Sequence, residues 1–411
     1  MDYNILTIFY ILILSLFLFF LYIFLFKNIQ TLFAKNKFKE YRREIENYMY
    51  VLNNITEGLA IINRRKDVLF VNHAFNKNIR SARIGSNMGG FDFLTRNIEL
   101  NSLIDEAVKN DNFKFTEKKI SYYDRAEKKT TSCTLLRIGN DDKYALIVKD
   151  ITGIQKIENI RTSFIQNVSH ELKTPVTAIA GFAETLKNGA IDKPSVRIKF
   201  IDIIEQHAKR LNFLIDDLIT LSNIETEKSP LKYETIDIEK NIESSLILFE
   251  KEIKEKNLSV INNIKKDFFV SDPAKINLII TNLIQNAVKY TDNNGIVIVD
   301  GYIADSLTAA DFVSNIEDTS VLWNNFLPEE NGGRFFFFSI MDNGKGVNYT
   351  NLLRLGERFF RIDSSHKDSI KGSGLGLAIV KHTLKLLNGS AVIKSGLGNG
   401  FTFSFVIPVL S

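Results

Sequence analysis

The sequence is poor in cysteine, tryptophan, proline and histidine, and its charges nearly balance. The single cysteine, Cys133, excludes an intrachain disulfide framework and a cysteine-rich metal cluster. A formal net charge of only +4 gives no electrostatic basis for nucleic-acid binding. The sequence also lacks a Gly-x-x-x-x-Gly-Lys-Ser/Thr phosphate loop and the Gly-x-Gly-x-x-Gly spacing of a dinucleotide site. Its 411 residues predict a chain of two to four domains.

Charge is also absent from a run near the N terminus, residues 5–26. At about 1.5 Å per residue a helix of this run would be about 33 Å long, enough to cross a bilayer core. A cleavable signal peptide is the alternative, but no basic residue precedes the run and the run is too long. Basic residues from Lys27 to Arg43 follow it, so the positive-inside rule predicts a single-pass protein with its later domains in the cytoplasm. Residues 1–46 are thus interpreted as a transmembrane helix in contact with lipid and a juxtamembrane helix, and no external sensing domain is expected.

Residues 47–150 have the pattern of a small mixed domain. Gly58 to Asn72 predicts two short strands around a charged turn, with a helix beginning at His73. A later strand, from Lys143, ends in Asp-Ile-Thr152. These features resemble a PAS sensor domain, and an unrelated α+β domain is the alternative. His73 is interpreted as a residue of the helix start, not as a haem ligand.

Two amphipathic segments follow in residues 151–228. Apolar residues recur at steps of three and four, first from Ile154 to Leu186 and then from Ile201 to Leu218. Asn188-Gly189 and Asp192-Lys-Pro194 separate the two segments. The pattern predicts an antiparallel helical hairpin. Because one hairpin cannot bury such a stripe alone, a homodimer with a four-helix bundle is expected.

The first of these helices carries Ser169-His-Glu-Leu-Lys-Thr-Pro175. His170 and Thr174 are four residues apart and share a face, outside the apolar stripe, and the long side chain of Glu171 can reach the imidazole. Pro175 has no N–H, so a local bend is expected there. Taken alone, the motif is also compatible with a solvent-facing surface that happens to contain a histidine.

The last segment, residues 231–411, has a mixed α/β pattern. Helices are predicted from Asp237 to Lys256, from Asp272 to Tyr290 and from Leu377 to Leu387. Strands are predicted at Ile296–Asp300, Phe335–Asp342 and Phe401–Ile407.

Polar motifs follow one another along this segment. One stripe of the second helix carries amide groups suited to Mg²⁺ and a lysine suited to phosphate: Asn282, Asn286, Lys289 and Tyr290. Asp342 ends a strand and can accept a hydrogen bond from an amino group such as that of adenine. Glu357-Arg-Phe-Phe-Arg361 comes next. Gly372-x-Gly374-x-Gly376 then precedes a helix whose N-terminal amides would face a polyphosphate.

From residue 150 onward, these motifs together are similar to bacterial sensor histidine kinases. The matching stretches are an H box, an N box and two glycine boxes: Ser169–Pro175, Asn282–Thr291, Asp342–Val347 and Gly372–Leu377. The resemblance implies a Bergerat-type α/β-sandwich ATP-binding domain, ATP with Mg²⁺, and phosphoryl transfer to an aspartate of a response regulator. With the N-terminal run and the PAS-like pattern, the chain resembles phosphate-regulon-type sensor kinases of the bacterial inner membrane.

The resemblance also assigns roles to residues. His170 would be the phosphoacceptor, Glu171 would hold a proton of its ring, and Thr174 would belong to a His-Glu-x-x-Thr phosphatase motif. Asn286 would serve the metal. The expected nucleotide-binding residues, whose glycines would shape a mobile lid, are Asn282, Asn286, Lys289, Tyr290, Asp342, Gly344, Gly346, Arg358, Lys371, Gly372, Gly374, Leu375 and Gly376. An ATP-binding scaffold that signals by conformation is the alternative function; a gyrase- or chaperone-type ATPase is disfavoured by the H box.

One acidic segment, Tyr302–Gly333, departs from the family pattern, which joins the flanking strands by a short turn. It contains no lysine or arginine and carries the only tryptophan, Trp323. Two interpretations follow: a tolerated surface extension, or a docking element for a basic partner.

Overall fold

The computed structural model describes residues 37–78, 97–124, 127–139, 142–226, 230–305, 320–323, 333–362 and 372–409, with residues 19, 20, 22, 23, 27 and 91. The chain forms two compact units, residues 1–161 and 162–411. Most of the predicted membrane span, residues 5–26, lies outside this description. Among the described residues, no helix has both the length and the apolar character needed to cross a membrane.

The first unit contains a five-stranded antiparallel sheet in the order β2-β1-β5-β4-β3. Its strands are Gly58–Asn63 (β1), Val68–Val71 (β2), Phe115–Asp124 (β3), Glu127–Ile138 (β4) and Lys143–Asp150 (β5). Its helices are residues 37–54 (α1), His73–Asn78 (α2) and Ile98–Lys109 (α3). The two strands predicted before His73 and the strand from Lys143 are present. β3 and β4 were not predicted from the sequence.

One buried amide connects α1 to this sheet. Asn72 is fully buried, and its Oδ1 accepts hydrogen bonds from the N–H groups of Leu59 (2.8 Å) and Phe75 (2.9 Å). Its Nδ2 donates to the carbonyls of Leu52 (2.8 Å) and Glu57 (2.9 Å). Since every polar atom of this buried side chain has a partner, Asn72 holds the end of α1, β1 and α2 in one arrangement.

The predicted helical hairpin is present. Its helices are Thr152–Lys187 (α4) and Pro194–Glu225 (α5), joined through a short 3₁₀ turn at Ala190–Asp192. α4 is continuous through Pro175, which is buried. Apolar side chains along both helices are exposed in the single chain, among them Ile157, Ile198 and Phe213.

The rest of the second unit is an α/β domain. Its strands are Glu234–Asp237 (β6), Ser259–Ile264 (β7), Phe268–Ser271 (β8), Ile296–Asp305 (β9), Ser320–Trp323 (β10), Arg334–Asp342 (β11), Ser390–Ser395 (β12) and Phe401–Pro408 (β13). Its helices are Ile238–Ile247 (α6), Glu250–Glu255 (α7), Pro273–Tyr290 (α8), Tyr349–Leu352 (α9) and Gly376–Leu386 (α10). Six strands form one sheet, β10-β12-β13-β11-β9-β7, in which only the β7–β9 pair is parallel, and β6 pairs with β8.

The core of this domain lies between the sheet and helices α8 and α10. Ile276, Ile280 and Leu283 of α8 are buried in the same cluster as Phe338 and Phe405 of the sheet. Full burial of each such side chain contributes roughly 1.5–3 kcal/mol. The apolar side of α8 is therefore fixed on the sheet, which leaves its polar stripe at the edge of the domain.

The single helix predicted from Asp237 to Lys256 was wrong in its extent. Asp237 does cap a helix, since its side chain accepts the N–H of Lys240 at 3.2 Å. However, α6 ends at Ile247 and α7 begins at Glu250. Phe249 and Ile253 both pack against the main core, so the apolar period continues across the break and gives no sign of it.

The acidic segment contributes a strand to the main sheet. β10 pairs antiparallel with β12, and Trp323 lies opposite Ala391. Trp323 is only 3% exposed and belongs to the main core. For residues 320–323 the interpretation as a surface extension is therefore wrong. The remaining residues between 306 and 332 lie outside the described part of the chain.

Candidate active site

The surface around His170 is exposed, as the sequence predicted. His170 and Thr174 are both exposed on α4. The Thr174 hydroxyl donates to the carbonyl oxygen of His170 at 3.1 Å. This backbone bond is common for threonine in helices. The hydroxyl must rotate away from it before it can orient a water molecule.

Glu171 is held by a residue that the sequence did not single out. Arg210 of α5 donates to the Glu171 carboxylate at 2.9 Å, and both side chains are mostly buried. A charge-assisted bond in this setting fixes the orientation of the carboxylate. Only the register between the two hairpin helices brings this pair together, and no local spacing in the sequence reveals it.

The N-box stripe lies on α8, where it was predicted. Asp272 caps the helix by accepting the Lys275 N–H at 3.0 Å, which fixes where the helix begins and so which side is polar. Asn282 donates to the carbonyl of Leu278 at 2.8 Å, and Asn286 is half-buried. The Lys289 ammonium lies 4.7 Å from the ring centroid of Tyr290.

Lys256 stabilises the C-terminal end of α8 and was missed from the sequence. Its ammonium donates to the carbonyls of Val288 (2.8 Å), Lys289 (2.7 Å) and Thr291 (2.8 Å). A cation at this helix end meets the negative end of the macrodipole and satisfies carbonyls that have no intrahelical partner. Burial lowers the pKa of Lys256. This contact holds the last turn of α8, which carries Lys289 and Tyr290, in place.

The Lys289 ammonium lies among other positive charges. Burial, together with the positive charges of Arg361, Arg210 and Lys256, lowers the pKa of Lys289 to about 8. A half-buried ammonium surrounded by cations is stabilised when a polyanion binds. The electrostatics around Lys289 therefore suit a triphosphate.

Asp342 lies buried at the end of β11. Burial raises the pKa of its carboxyl to about 6, although the backbone N–H groups of Gly344 and Phe401 oppose the rise. Gly344 donates to Asp342 at 2.9 Å, and a Cβ at Gly344 would lie 2.8 Å from the Tyr290 carbonyl oxygen. Gly346, with a φ of +66°, packs against the Gly396 carbonyl. The loop after Asp342 can therefore lie against the end of α8 only because Gly344 has no side chain.

The second glycine box lies against the C-terminal half of α8. A Cβ at Gly376 would be 2.7 Å from the Asn282 side-chain oxygen, and one at Gly372 would meet the Lys289 ammonium. Gly374 has a φ of +71°, and its carbonyl accepts the N–H of Phe359 at 3.0 Å. The N box, the Asp342 loop and the glycine box thus converge at one place. Lys371 lies outside the described residues.

Three residues of these motifs contact the hairpin in this structure. Arg358, predicted to bind nucleotide, donates to Glu225 of α5 at 2.5 Å. Leu375 is fully buried in a cluster with residues of α5. The Ser373 hydroxyl donates to Asp217 at 2.7 Å, and burial raises the pKa of Asp217. The glycine box is therefore in contact with both the hairpin and α8.

Among the described residues, the polar stripe of α8 is where a metal ligand was predicted. Asn286 provides one amide oxygen on the polar stripe of α8. No group of three or more His, Cys, Asp or Glu side chains placed to hold a metal ion occurs among the residues that the structure describes. Such a donor set fits Mg²⁺ that takes its other ligands from phosphate oxygens and water.

Comparisons with known proteins match both parts of the second unit. Residues 160–227 match the His Kinase A (phospho-acceptor) domain, and residues 271–411 match the Histidine kinase-, DNA gyrase B-, and HSP90-like ATPase family. The sensor protein SrrB of Staphylococcus aureus (strain MRSA252) is 24% identical over 362 residues, covering 87% of this chain and 55% of SrrB. The phosphate regulon sensor protein PhoR of Pseudomonas aeruginosa is 30% identical over 267 residues, 64% of this chain and 53% of PhoR.

The structure comparison gives a weaker likeness. The histidine kinase AdeS of Acinetobacter baumannii aligns with a TM-score of 0.40 and 21% identity, over 59% of this chain and 98% of that one. The chain spans about half the length of the curated relatives it matches.

The two domain matches identify the family, because they fall in the order and places that the H and N boxes predicted. The chain belongs to the bacterial sensor histidine kinases of two-component systems and resembles the phosphate-regulon type.

Proposed function

We propose that the protein transfers the γ-phosphoryl group of ATP to His170 and then to an aspartate of a response regulator. The observation that carries this proposal is the convergence of Asn282, Lys289, Asp342 and the glycine box around one end of α8. The same compact unit presents His170 on an exposed helix face. A scaffold that signals by conformation needs no such combination of a nucleotide site and an exposed nucleophile.

The chemistry divides among the side chains of this site. A ring nitrogen of His170 attacks the γ-phosphorus in line, a nitrogen–phosphorus bond forms, and the bond to the ADP oxygen breaks. Glu171, oriented by Arg210, accepts a hydrogen bond from the other ring nitrogen. Asp342 accepts from the adenine amino group and Lys289 binds phosphate. Mg²⁺ near Asn286 would neutralise charge on the phosphates when bound.

The wider assembly is proposed from the same family resemblance. The hairpin, residues 151–228, would form a homodimer that buries exposed apolar residues such as Ile157, Ile198 and Phe213. Residues 47–150 would be a PAS-like sensor domain, a proposal supported by the two strands before His73 and the strand from Lys143, which pair in one antiparallel sheet. Residues 1–46 would anchor the protein in the bacterial inner membrane, and residues 231–411 would be the ATP-binding domain.

Label transfer from γ-labelled ATP to the full chain tests the proposal. His170→Gln should abolish acid-labile phosphohistidine while leaving binding of an ATP analogue unchanged, because His170 lies on the hairpin. His73→Gln, at another exposed helical histidine, is the matched control and should label normally. Label that persists in the His170 variant would refute the phosphoacceptor assignment. A wild-type chain that binds ATP without labelling would favour the scaffold.

The phosphatase role of Thr174 needs a separate experiment. Thr174→Ala removes the hydroxyl that would orient water onto the regulator's acyl phosphate, while the exposed position leaves the hairpin intact. We expect normal autophosphorylation and slower dephosphorylation of a phosphorylated regulator. Ser169→Ala, which also removes only a hydroxyl bonded to its own helix, is the control. Unchanged dephosphorylation in the Thr174 variant would remove this role.

A further inference from the structure

Trp323 of the acidic segment is buried in the core of the α/β domain. Its indole is 3% exposed and packs edge-on against Phe403, with ring centroids 5.4 Å apart. β10 holds the residue at the sheet edge through its pairing with β12. A segment that family resemblance leaves unexplained thus places a large aromatic side chain inside the domain.

The indole contacts two segments that lead to the glycine box. Gly356, with a φ of +83°, lies so close that a Cβ there would be 2.8 Å from the indole Cζ2. The Lys381 ammonium lies 5.1 Å from the centre of the indole ring, at cation–π distance. Gly356 begins the segment before the box, and Lys381 belongs to α10, the helix that begins at its last glycine, Gly376.

The segment from Gly356 reaches the glycine box through a backbone bond. Three residues after Gly356, the Phe359 N–H donates to the Gly374 carbonyl at 3.0 Å. A Cβ at Gly374 would lie 2.8 Å from the Phe359 carbonyl carbon, so the two backbones are in close contact. Residues 356–359 thus connect the indole contact at Gly356 to the backbone of Gly374.

We propose that Trp323 is a positioning residue for the nucleotide site. It holds residues 356–359 and α10 in a fixed relation to each other and so sets the glycine box for the triphosphate. Residues 320–323 of the acidic segment are then part of the structure that supports the nucleotide site. This role depends on one part of the proposed function, which is that this site binds ATP.

Calorimetric binding of a non-hydrolysable ATP analogue with Mg²⁺ to the full chain tests this role. Trp323→Ala should weaken binding by about tenfold, since the support of Gly356 and the partner of Lys381 are both lost. Trp323→Phe keeps an aromatic ring and should weaken binding by no more than about threefold. The control is Phe337→Ala, a half-buried aromatic in a separate apolar cluster with Phe335 and Val406. Both alanine variants should melt at lower temperature, but only the Trp323 variant should lose affinity.

Equal affinities in the Trp323→Ala and Phe337→Ala variants would overturn the positioning role. If Trp323→Ala does not fold, the wild-type chain still provides a test, because Trp323 is its only tryptophan. The tryptophan emission should change as the analogue is added, and the midpoint of this change should agree with the midpoint of binding measured by calorimetry. Constant emission while calorimetry shows binding would equally overturn the role. A wild-type chain that binds no nucleotide would instead contradict the proposed function itself, and the positioning role with it.

Discussion

The buried Asp342 carboxylate, which is expected to bind adenine, should lower the free energy of unfolding of the nucleotide-free protein. Its carboxyl is buried, and burial raises its pKa from the usual 3.8 to about 6. Since one pKa unit equals about 1.4 kcal/mol, the buried carboxylate costs about 3 kcal/mol at neutral pH. Asparagine has the same shape and carries no charge, and its side-chain oxygen can still accept the Gly344 N–H. Asp342→Asn should therefore stabilise the protein.

The pH dependence follows from the direction of this pKa change. Because the folded-state pKa lies above the unfolded value, the native state binds the proton more tightly between pH 3.8 and about 6. The destabilisation is fully present above about pH 6 and disappears as the pH falls toward the unfolded value. The advantage of Asp342→Asn should be up to about 3 kcal/mol near pH 7.5 and about 1 kcal/mol near pH 4.5.

Urea unfolding followed by the emission of Trp323 measures this difference. Asp300→Asn, the same change at a half-buried aspartate of the neighbouring strand β9, is the control and should give no comparable stabilisation. The Asp342 variant should also lose ATP-analogue affinity by about tenfold or more, because an amide N–H would face the adenine amino group. A variant less stable than wild type near pH 7.5, or a difference independent of pH, would refute the reasoning.

Three further predictions concern other parts of the chain. Because the pKa of Lys289 is lowered to about 8, nucleotide binding above that pH should take up a proton, measurable by calorimetry in buffers of different ionisation enthalpy. Lys289→Met should abolish this proton uptake, and an unchanged proton uptake in the variant would contradict the prediction. Arg210→Gln removes the partner that orients Glu171, so phosphohistidine formation should be about tenfold slower at saturating ATP. The affinity for the ATP analogue should be nearly unchanged. A normal rate of phosphohistidine formation would exclude the orienting role of Arg210. Asn72→Ala should cost about 2–4 kcal/mol, seen as lost hydrogen-exchange protection at the Phe75 amide; retained protection would contradict it.

The features that could be predicted from the sequence are those defined by residues close together along the chain. Helix α8 was predicted with its start and its polar stripe because Asp272, the apolar period and the Asn282 motif all lie within one local segment. Lys256 and Arg210 were missed because their partners lie far along the chain, on other helices. The strand β10 was missed because four residues in an acidic segment carry no period, and only the tertiary pairing with β12 defines them.

Arg358, Ser373 and Leu375 show why motif position alone does not settle what a side chain contacts. The motif places them with the nucleotide residues, yet in the structure Arg358 bonds Glu225, Ser373 bonds Asp217 and Leu375 packs against α5. Neighbouring glycines of the same box face Lys289 and Asn282 of α8. The loop is not extended, since Gly374 has a φ of +71° and Leu375 is in the right-handed helical region, and it contacts the hairpin with its side chains while its backbone lies against α8. Close contacts leave little room for a Cβ at Gly372, Gly374 and Gly376. Because the side chains between these glycines contact the hairpin that carries His170, the geometry of the glycine box depends on that hairpin.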